Sequence, residues 1–357
     1  MASFHSLRLQ HFRSYADYTV EFSDGVNIIV GPNGSGKTNL LEALYVLATG
    51  GSFRGHDRDL LKHRQEWFRI DGQYGEEQRS LTYRQNGDTA EKQFVIDGAK
   101  KARLTHQQRL PVVLFEPDHL RLLRESPSKR RDYLDALLTR LQPDFAWLKH
   151  QFERVLTQRN AMLKRRLPSF QLEDQLFAWD IKFVELAEQI VARRERLVAD
   201  LQAQASDVYS SIARKPHVVA LEHQSIVGGT NYHDSLLRAL SERLTRDVER
   251  GFTSVGPHRD DFSVLLDGAP AANAASRGET RSLLLTLKII ELRLVADQQD
   301  ATPLLLLDDV FSELDAARRH ALAELAKSYQ TLITTTDADA IIEHFQGGYR
   351  IIATENP

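Results

Sequence analysis

Eight residues near the start of the chain have the types and spacing of a phosphate-binding loop. Residues 31–38 read GPNGSGKT and match G-x-x-x-x-G-K-[ST] in full. Glycine turns would aim successive backbone N–H groups at phosphate oxygens, Lys37 would reach the β- and γ-phosphates, and Thr38 would place its hydroxyl on Mg²⁺. The predicted nucleotide-binding residues are Gly31, Pro32, Asn33, Gly34, Ser35, Gly36, Lys37 and Thr38. The alternative is a glycine-rich turn beside a surface lysine.

A nucleotide site of this kind also needs a second motif, an acidic one that binds the metal ion and the attacking water. The apolar run at residues 304–307 is followed by Asp308 and Asp309. An aspartate at the end of a buried strand holds Mg²⁺ in P-loop enzymes, and the next carboxylate is placed to orient an attacking water. We therefore predict Lys37, Asp308 and Asp309 as catalytic residues, and Thr38 and Asp308 as metal ligands. The alternative is a strand that ends in an acidic turn.

The elements around these motifs indicate an interrupted domain. Residues 26–30 form a buried apolar strand before the loop, and residues 39–48 have helical spacing after it. Lys37 and Asp308 are about 270 residues apart, so the chain must fold back on itself to place both at one nucleotide. Between them, helical periodicity over residues 126–209 predicts an arm. Its segment 172–209 has a coiled-coil-like seam and a length of roughly 55–60 Å.

The predicted fold class is therefore α/β, with a P-loop ATPase head and an inserted α-helical arm. The head is assigned to residues 1–120 and 250–357. The arm is assigned to residues 121–249 and contains a short antiparallel hairpin. Pro168 is expected to break the helical run.

A short polar turn precedes the helix predicted at residues 281–294. Ser276 and Gly278 belong to a Ser-x-Gly turn, and a Ser-x-Leu-Asp segment, residues 312–315, follows the acidic pair. This order of motifs resembles ABC-type ATPases, in which the signature turn of one subunit faces the γ-phosphate bound by the other. That resemblance adds Ser276 and Gly278 to the nucleotide-binding residues. The alternative is an ordinary capping box between Ser276 and Glu279.

The chain also resembles the RecF family, recombination-mediator ATPases related to SMC proteins. The matching stretches span nearly the whole chain and are residues 12–15 (FRSY), 31–38, 126–135 (SPSKRRDYLD), 158–160 (QRN), 256–261 (GPHRDD) and 307–315 (LDDVFSELD). The resemblance adds Arg13 to the nucleotide-binding residues. It implies an ATP-dependent homodimer that binds double-stranded or gapped DNA. It also implies work with RecR and the RecO/RecA pathway in cytoplasmic replication, repair and the SOS response.

Two positions depart from the wider ABC pattern. Asp309 stands where ABC enzymes generally have a catalytic glutamate, and Thr336 stands at the switch histidine of transporters. The shorter carboxylate and the missing histidine favour slow hydrolysis. We therefore expect a weak DNA-dependent ATPase in which ATP binding closes a clamp on DNA and hydrolysis resets it.

A local excess of positive charge marks the start of the arm. Between residues 121 and 166 there are twelve Lys and Arg and five Asp and Glu, a balance of +7 on a chain with a formal charge of −3. Such asymmetry suits phosphate contacts independent of sequence. Lys129, Arg130 and Arg131 are the predicted DNA-binding residues. The alternative is a solvated helix face.

The composition excludes several other classes. The 357 residues contain no cysteine, which excludes zinc fingers, thiol nucleophiles and disulfides. Neither a signal peptide nor a membrane span is expected. Arm length and motif pattern argue against a transporter motor, a long coiled-coil cohesion ATPase and an ATP-dependent nuclease. His258 and Arg259 have two open interpretations, as a sensor of nucleotide or DNA or as parts of a structural turn.

Overall fold

The computed structural model describes residues 2–117, 119, 122–165, 169–228, 231–298, 302–345 and 347–354. Arg121, Arg166 and Pro168, which were part of the predicted arm, lie outside these residues. The chain divides into two compact units. Unit 1 is Met1–Leu120 with Glu291–Pro357, and unit 2 is Arg121–Ile290. The predicted domain limits were set from the positions of sequence motifs, and they stay a prediction. They differ from the compact units over residues 250–290, which were assigned to the head but belong to unit 2.

The elements follow one another along the chain in a mixed α/β order. The strands are β1 (Phe4–Phe12), β2 (Tyr15–Glu21), β3 (Val26–Val30), β4 (Trp67–Tyr74), β5 (Glu77–Asn86), β6 (Thr89–Ile96), β7 (Ala99–Lys101), β8 (Val112–Phe115), β9 (Val219–Gln224), β10 (Asp261–Leu266), β11 (Ala269–Pro270), β12 (Leu304–Asp308), β13 (Thr331–Thr335) and β14 (Tyr349–Ala353). The helices are α1 (Lys37–Thr49), α2 (Pro127–Leu141), α3 (Phe145–Leu163), α4 (Ser169–Ala213), α5 (Tyr232–Glu242), α6 (Leu244–Arg250), α7 (Ala271–Ala274), α8 (Arg277–Gln298), α9 (Ala316–Ala326) and α10 (Asp339–Ile342).

A five-stranded parallel sheet in unit 1 positions the site. Its order is β14-β3-β13-β12-β8. Every residue of β12 and β13 is buried, as expected for parallel strands covered on both faces. Register pairs Asp308 with Thr334 and Thr335 with Val30. The carboxyl ends of β3, β12 and β13 therefore meet at one edge, where ligands bind in open α/β sheets.

The second sheet of unit 1 is antiparallel, with the order β2-β1-β4-β5-β6-β7. Its buried side chains form one hydrophobic cluster with the apolar residues of α1 and of the parallel sheet. Leu40, Leu41 and Leu44 of α1 are completely buried in this cluster. The helix ends where Gly50 takes the left-handed conformation, φ 91°. Helix α1 is therefore held firmly along its whole length.

Unit 2 contains a helical hairpin. The ion pairs Arg193–Asp144 and Arg159–Asp180, both 2.6 Å, show that α3 and α4 run antiparallel. Helix α4 has 45 residues and is about 67 Å long. A three-stranded sheet, β11-β10-β9, also belongs to this unit. Strand β9 was not predicted.

One helical prediction differs from the structure. The spacing of apolar residues over 236–248 predicts a single amphipathic helix, whereas the chain forms α5 and α6. Arg243 leaves the helical conformation between them, with φ −96° and ψ 0°. After the break, α6 places Asp247 at 3.5 Å from the Nη1 atom of the buried Arg159.

Across the described ranges, none of the helices is both long enough and apolar enough to cross a bilayer.

Candidate nucleotide-binding site

The glycine-rich loop has the backbone geometry of an anion cradle. Gly34 and Gly36 have φ of 85° and 91°, which favours glycine. A β-carbon on Gly36 would also lie 2.9 Å from the Tyr15 hydroxyl and from Ser14 Oγ. Helix α1 begins at the next residue, Lys37. The loop therefore leads straight into the positive end of a helix, as phosphate sites require.

The Lys37 ammonium folds back over this loop. Its Nζ atom donates to the carbonyl oxygens of Gly31 at 2.7 Å and Pro32 at 2.9 Å. Burial lowers the pKa of Lys37, while the nearby Asp309 and Asp308 carboxylates act in the opposite direction. The side chain thus lies in the loop, beside both predicted acidic residues.

Asp308 joins the two distant parts of the site. Its Oδ1 atom accepts hydrogen bonds from Thr38 Oγ1 at 2.9 Å and from Thr334 Oγ1 at 2.7 Å. Thr38 and Asp308 are separated by 270 positions in the chain. The structure therefore brings together the two predicted metal ligands. Thr334 was not predicted as a site residue; it belongs to the run of apolar and β-branched residues at 332–335, which by itself indicates a strand.

Asp309 takes an unusual backbone conformation at the end of β12. Its φ is 50°, in the left-handed region. Its N–H donates to Thr334 Oγ1 at 2.9 Å, and its carbonyl accepts from Ser312 Oγ at 2.7 Å. Burial raises the pKa of the Asp309 carboxyl, and Asp308 adds to the effect. A carboxylate with a raised pKa is suited to accept a proton.

The end of the described chain also contacts the loop. Thr354, just after β14, lies 2.7 Å from Ser35 through their hydroxyls, and its N–H donates to Val30 O at 2.8 Å. A β-carbon on Gly31 would lie only 2.3 Å from Thr354 Oγ1. Sequence reasoning missed Thr354, because no motif marks it.

Arg13 lies in a polar cluster beside α1. Its Nε and Nη2 atoms each donate to the buried Glu42 carboxylate at 2.8 Å. Arg54 and Ser52 donate to the same group at 2.7 and 2.6 Å. Burial favours the neutral acid, but the hydrogen bonds from Arg13, Arg54 and Ser52 outweigh it and lower the pKa of Glu42. The role of Arg13 toward a nucleotide stays a prediction.

The predicted signature turn lies in unit 2 and forms a capping box. Ser276 Oγ accepts from the N–H of Glu279 at 3.2 Å, and the Glu279 carboxylate accepts from the N–H of Ser276 at 2.7 Å. Gly278 follows in the first turn of α8. The capping interpretation is thus realised. Ser276 is exposed, so the capping bonds do not prevent it from contacting a second subunit. That contact stays a prediction.

Two of the three predicted DNA-binding side chains have structural partners inside unit 2. Arg130 makes a bidentate ion pair with Asp261, in which Nε and Nη2 donate to the two carboxylate oxygens at 2.8 and 2.7 Å. Arg131 donates to the carbonyl of Asp260 at 2.6 Å, and burial lowers the pKa of its guanidinium. Lys129 is exposed. The DNA-binding assignment of Lys129, Arg130 and Arg131 stays a prediction, with Lys129 the most accessible of the three.

The geometry around His258 favours the structural interpretation. Its Nε2 atom is 3.0 Å from the carbonyl of Thr253, and its ring packs near Phe152 and Phe183. Burial lowers the pKa of His258 to about 4. Arg259 stacks over the ring of Phe252 at 4.8 Å. Both side chains therefore hold a turn of unit 2.

The sequence of this chain is similar to one protein family over nearly its whole length. The family model of the RecF/RecN/SMC N terminal domain matches residues 3–356. The DNA replication and repair protein RecF of Heliobacterium modesticaldum is 34% identical over 356 residues, which cover 94% of this chain and 92% of that protein. RecF of Lactobacillus acidophilus is 33% identical over 372 aligned positions, which cover 98% and 99%.

Solved structures agree with this result. A structure of the recombination mediator protein RecF-ATPrS in the RecFOR pathway has a TM-score of 0.85 at 29% identity and covers 95% of this chain and 94% of that one. A RecF-ATP structure has a TM-score of 0.82 at 30% identity, with 94% and 92% covered. An SMC head bound to the C-winged helix domain of ScpA, at 14% identity and a TM-score of 0.53, shares the fold alone. The predicted ATPase-head fold class is confirmed.

Proposed function

Because the chain belongs to the RecF family, we propose that it is an ATP-dependent DNA-binding protein of replication and recombinational repair. ATP binding drives dimerisation, and the dimer holds double-stranded or gapped DNA and helps load a recombinase onto single strands. RecR, RecO and RecA are the proposed partners in this pathway. Slow hydrolysis then reopens the clamp. The observation that supports the proposal is the contact of Thr38 with Asp308, which joins two distant motifs at one sheet edge.

The residues of the site fit ATP with Mg²⁺. Among the described residues, no three His, Cys, Asp or Glu side chains are grouped to hold a metal by themselves. This suits Mg²⁺, which takes one or two protein oxygens and otherwise binds phosphate and water. Thr38 and Asp308 would supply those oxygens. When bound, Mg²⁺ would neutralise charge on the β- and γ-phosphates.

Each functional group of the site would have its own role toward the nucleotide. Lys37 would exchange the carbonyls of Gly31 and Pro32 for phosphate oxygens, which are better partners for an ammonium group. The loop amides and the start of α1 would hold the remaining charge. Asp309 would orient the attacking water and accept its proton. Ser276 of a second copy would complete the site, so that ATP favours the dimer by its differential affinity.

Dimerisation with a slowly hydrolysed ATP analogue tests this function. We expect the wild type to double its mass in light scattering and Lys37→Ala to stay monomeric because it loses the nucleotide. Ser276→Ala should bind the nucleotide and stay monomeric. Ser276→Asp keeps the helix cap but places a carboxylate toward the triphosphate, so it should also stay monomeric. A wild type that remains monomeric with bound nucleotide, or a Ser276→Asp variant that dimerises normally, would contradict the proposal.

A further inference from the structure

A largely exposed segment of unit 1 carries positive charge and contains no carboxylate. Residues 98–110 contain four Lys and Arg and no Asp or Glu, a balance of +4 on a chain of −3. The four are Lys100, Lys101, Arg103 and Arg109, which we call the basic strip. All four are exposed. The strip lies outside the region 121–166 in which the sequence indicated DNA contact.

The strip is also free of internal partners. In the described ranges, no ion pair involves any of its four side chains. Nearby cations differ: Lys92 Nζ lies 2.7 Å from Asp57, and Arg79 is buried beside Glu77. In unit 2, Arg130 and Arg159 are committed to ion pairs as well. The strip is therefore available for an external anion.

The backbone under the strip is firmly held. Strand β7 pairs with β6, where Lys101 lies opposite Phe94. Leu104 is only 7% exposed, and the N–H of Arg109 closes a turn by donating to Thr105 O at 3.2 Å. The N–H of Leu110 then donates to Ala48 O at 2.9 Å, near the end of α1. Binding here would cost little ordering of the main chain.

Protection of a sheet edge does not explain the whole strip. Lysines on an edge strand discourage pairing with another chain. Strand β7 is such an edge, which accounts for Lys100 and Lys101. Arg103 and Arg109 lie between β7 and β8, outside the residues of either edge strand, so protection of those edges does not require them.

We propose that the basic strip binds the phosphate backbone of DNA; this rests on the proposed function and adds a contact surface to it. The segment 98–110 contains no Phe, Tyr or Trp, so contact would be independent of base sequence. The strip is anchored at Ala48, 11 residues along α1 from Lys37, a distance of about 17 Å.

The test uses the full chain and a fluorescent gapped duplex, with anisotropy measured over a range of KCl concentrations. The triple variant Lys100→Gln, Lys101→Gln and Arg103→Gln should bind at least 10-fold more weakly at low salt. The slope of log Kd against log salt should fall by about 0.9 for each lost phosphate contact, up to about 2.7. A matched control variant, Arg196→Gln, Lys215→Gln and Arg246→Gln, removes the same charge at exposed positions outside both the strip and residues 121–166, and it should retain the wild-type slope. Nucleotide affinity should be unchanged in both variants, which also reports on folding.

The outcomes separate this inference from the proposed function. If the wild type binds DNA and the strip variant keeps its affinity and slope, the strip assignment is overturned and the function stands. If the strip variant binds DNA normally but loses an acidic protein partner, the assignment to DNA is equally overturned. A wild type that binds no DNA, with or without ATP, contradicts the function itself. Lys100→Arg with Lys101→Arg should bind as the wild type does, because the charge is kept.

Discussion

Asp309 combines a backbone conformation that few residues adopt with the position expected of the hydrolytic base. Its φ of 50° is most accessible to glycine, asparagine and aspartate. A strained residue persists only where its surroundings hold it, here through the bonds of its N–H to Thr334 and of its carbonyl to Ser312. We infer that the conformation serves to aim a short carboxylate at the γ-phosphate side of the loop.

Replacing Asp309 by asparagine should separate binding from hydrolysis. Asp309→Asn keeps the shape and tolerates the same φ, but it no longer accepts a proton. Turnover of ATP should fall at least 10²-fold, the usual contribution of a positioned base, while the Kd for ATP should stay within a few-fold. Single-turnover hydrolysis and equilibrium titration measure the two quantities. Unchanged turnover would exclude Asp309 as the base.

Thr334 is the second residue for which we expect a measurable effect. Thr334→Val keeps the shape but removes the hydroxyl that donates to Asp308 and accepts from Asp309 N–H. Leaving the Asp309 N–H without its acceptor and removing one of the two hydroxyls that donate to Asp308 should cost about 1–3 kcal/mol of stability and reduce hydrolysis roughly 10-fold. Thr334→Ser restores the hydroxyl and is the control. Equal activity of the valine and serine variants would show that the hydroxyl has no such role.

At the scale of elements, the hairpin of α3 and α4 depends on a buried cation. The side chain of Arg159 has no exposed surface and lies within 2.6 Å of Asp180 and 3.5 Å of Asp247. Its Nη1 atom also donates to Thr253 Oγ1 at 2.8 Å. One side chain therefore ties α3 to α4, to α6 and to the loop after α6.

Removing this cation should destabilise the hairpin strongly. Arg159→Met preserves the length of the side chain but leaves two carboxylates without their partner, which should cost about 3–5 kcal/mol. Urea unfolding followed by circular dichroism measures the loss. The exposed Arg154, five positions away on α3, is the matched control, and Arg154→Met should change stability by less than about 0.5 kcal/mol. Similar effects of the two substitutions would refute the assigned role.

The sequence predicted the elements around the phosphate-binding loop and the long helices, but it did not predict β4 to β9, β11 or β14. Periodicity and burial correctly indicated β3, β12, α1 and α4, because each has a strong pattern of its own. Strand β9 was missed because its sequence, VALEHQ, is half polar and has no turn signal of a hairpin. The phosphate-binding loop was evident because its chemistry is local to eight residues.

Contacts between distant residues escaped sequence reasoning for a physical reason. Arg130 was assigned to DNA from the charge of its neighbours, but its partner, Asp261, is 131 positions away. Thr354 meets Ser35 only because β14 pairs with β3 in one particular register. Which side chains meet is decided by how the strands and helices pair, and a single sequence does not display that pairing.

For the whole molecule, buried titratable groups predict a dependence of stability on pH. Burial lowers the pKa values of His223 and His258 to about 4, from an ordinary value of 6.5. Their contribution to folding is therefore complete above about pH 6.5 and is lost as the pH falls toward 4. Burial raises the pKa of Asp260 to about 6, so its contribution has the opposite sign and grows as the pH falls below 6.

Two histidines outweigh one aspartate, so the free energy of unfolding should decrease between pH 6.5 and 4. His258→Gln keeps a donor for Thr253 O and removes one titrating group. We expect its decrease to be shallower than that of the wild type by up to about 1.4 kcal/mol per pH unit. Urea midpoints at half-unit pH intervals measure this slope. Identical slopes for the two proteins would show that His258 does not titrate in this range.

The strand order of the parallel sheet has a consequence for biosynthesis. Strand β3, which leads into the glycine-rich loop, has β13 and β14 as its two neighbours, and the first of these is about 300 residues later in the chain. At about 5–20 residues per second, the ribosome needs roughly 15–60 s to deliver them. Until then, the backbone N–H and C=O groups on both edges of β3 lack the strands with which they pair. The nascent chain should therefore depend on chaperones that shield apolar strands until the last tenth of the protein has emerged.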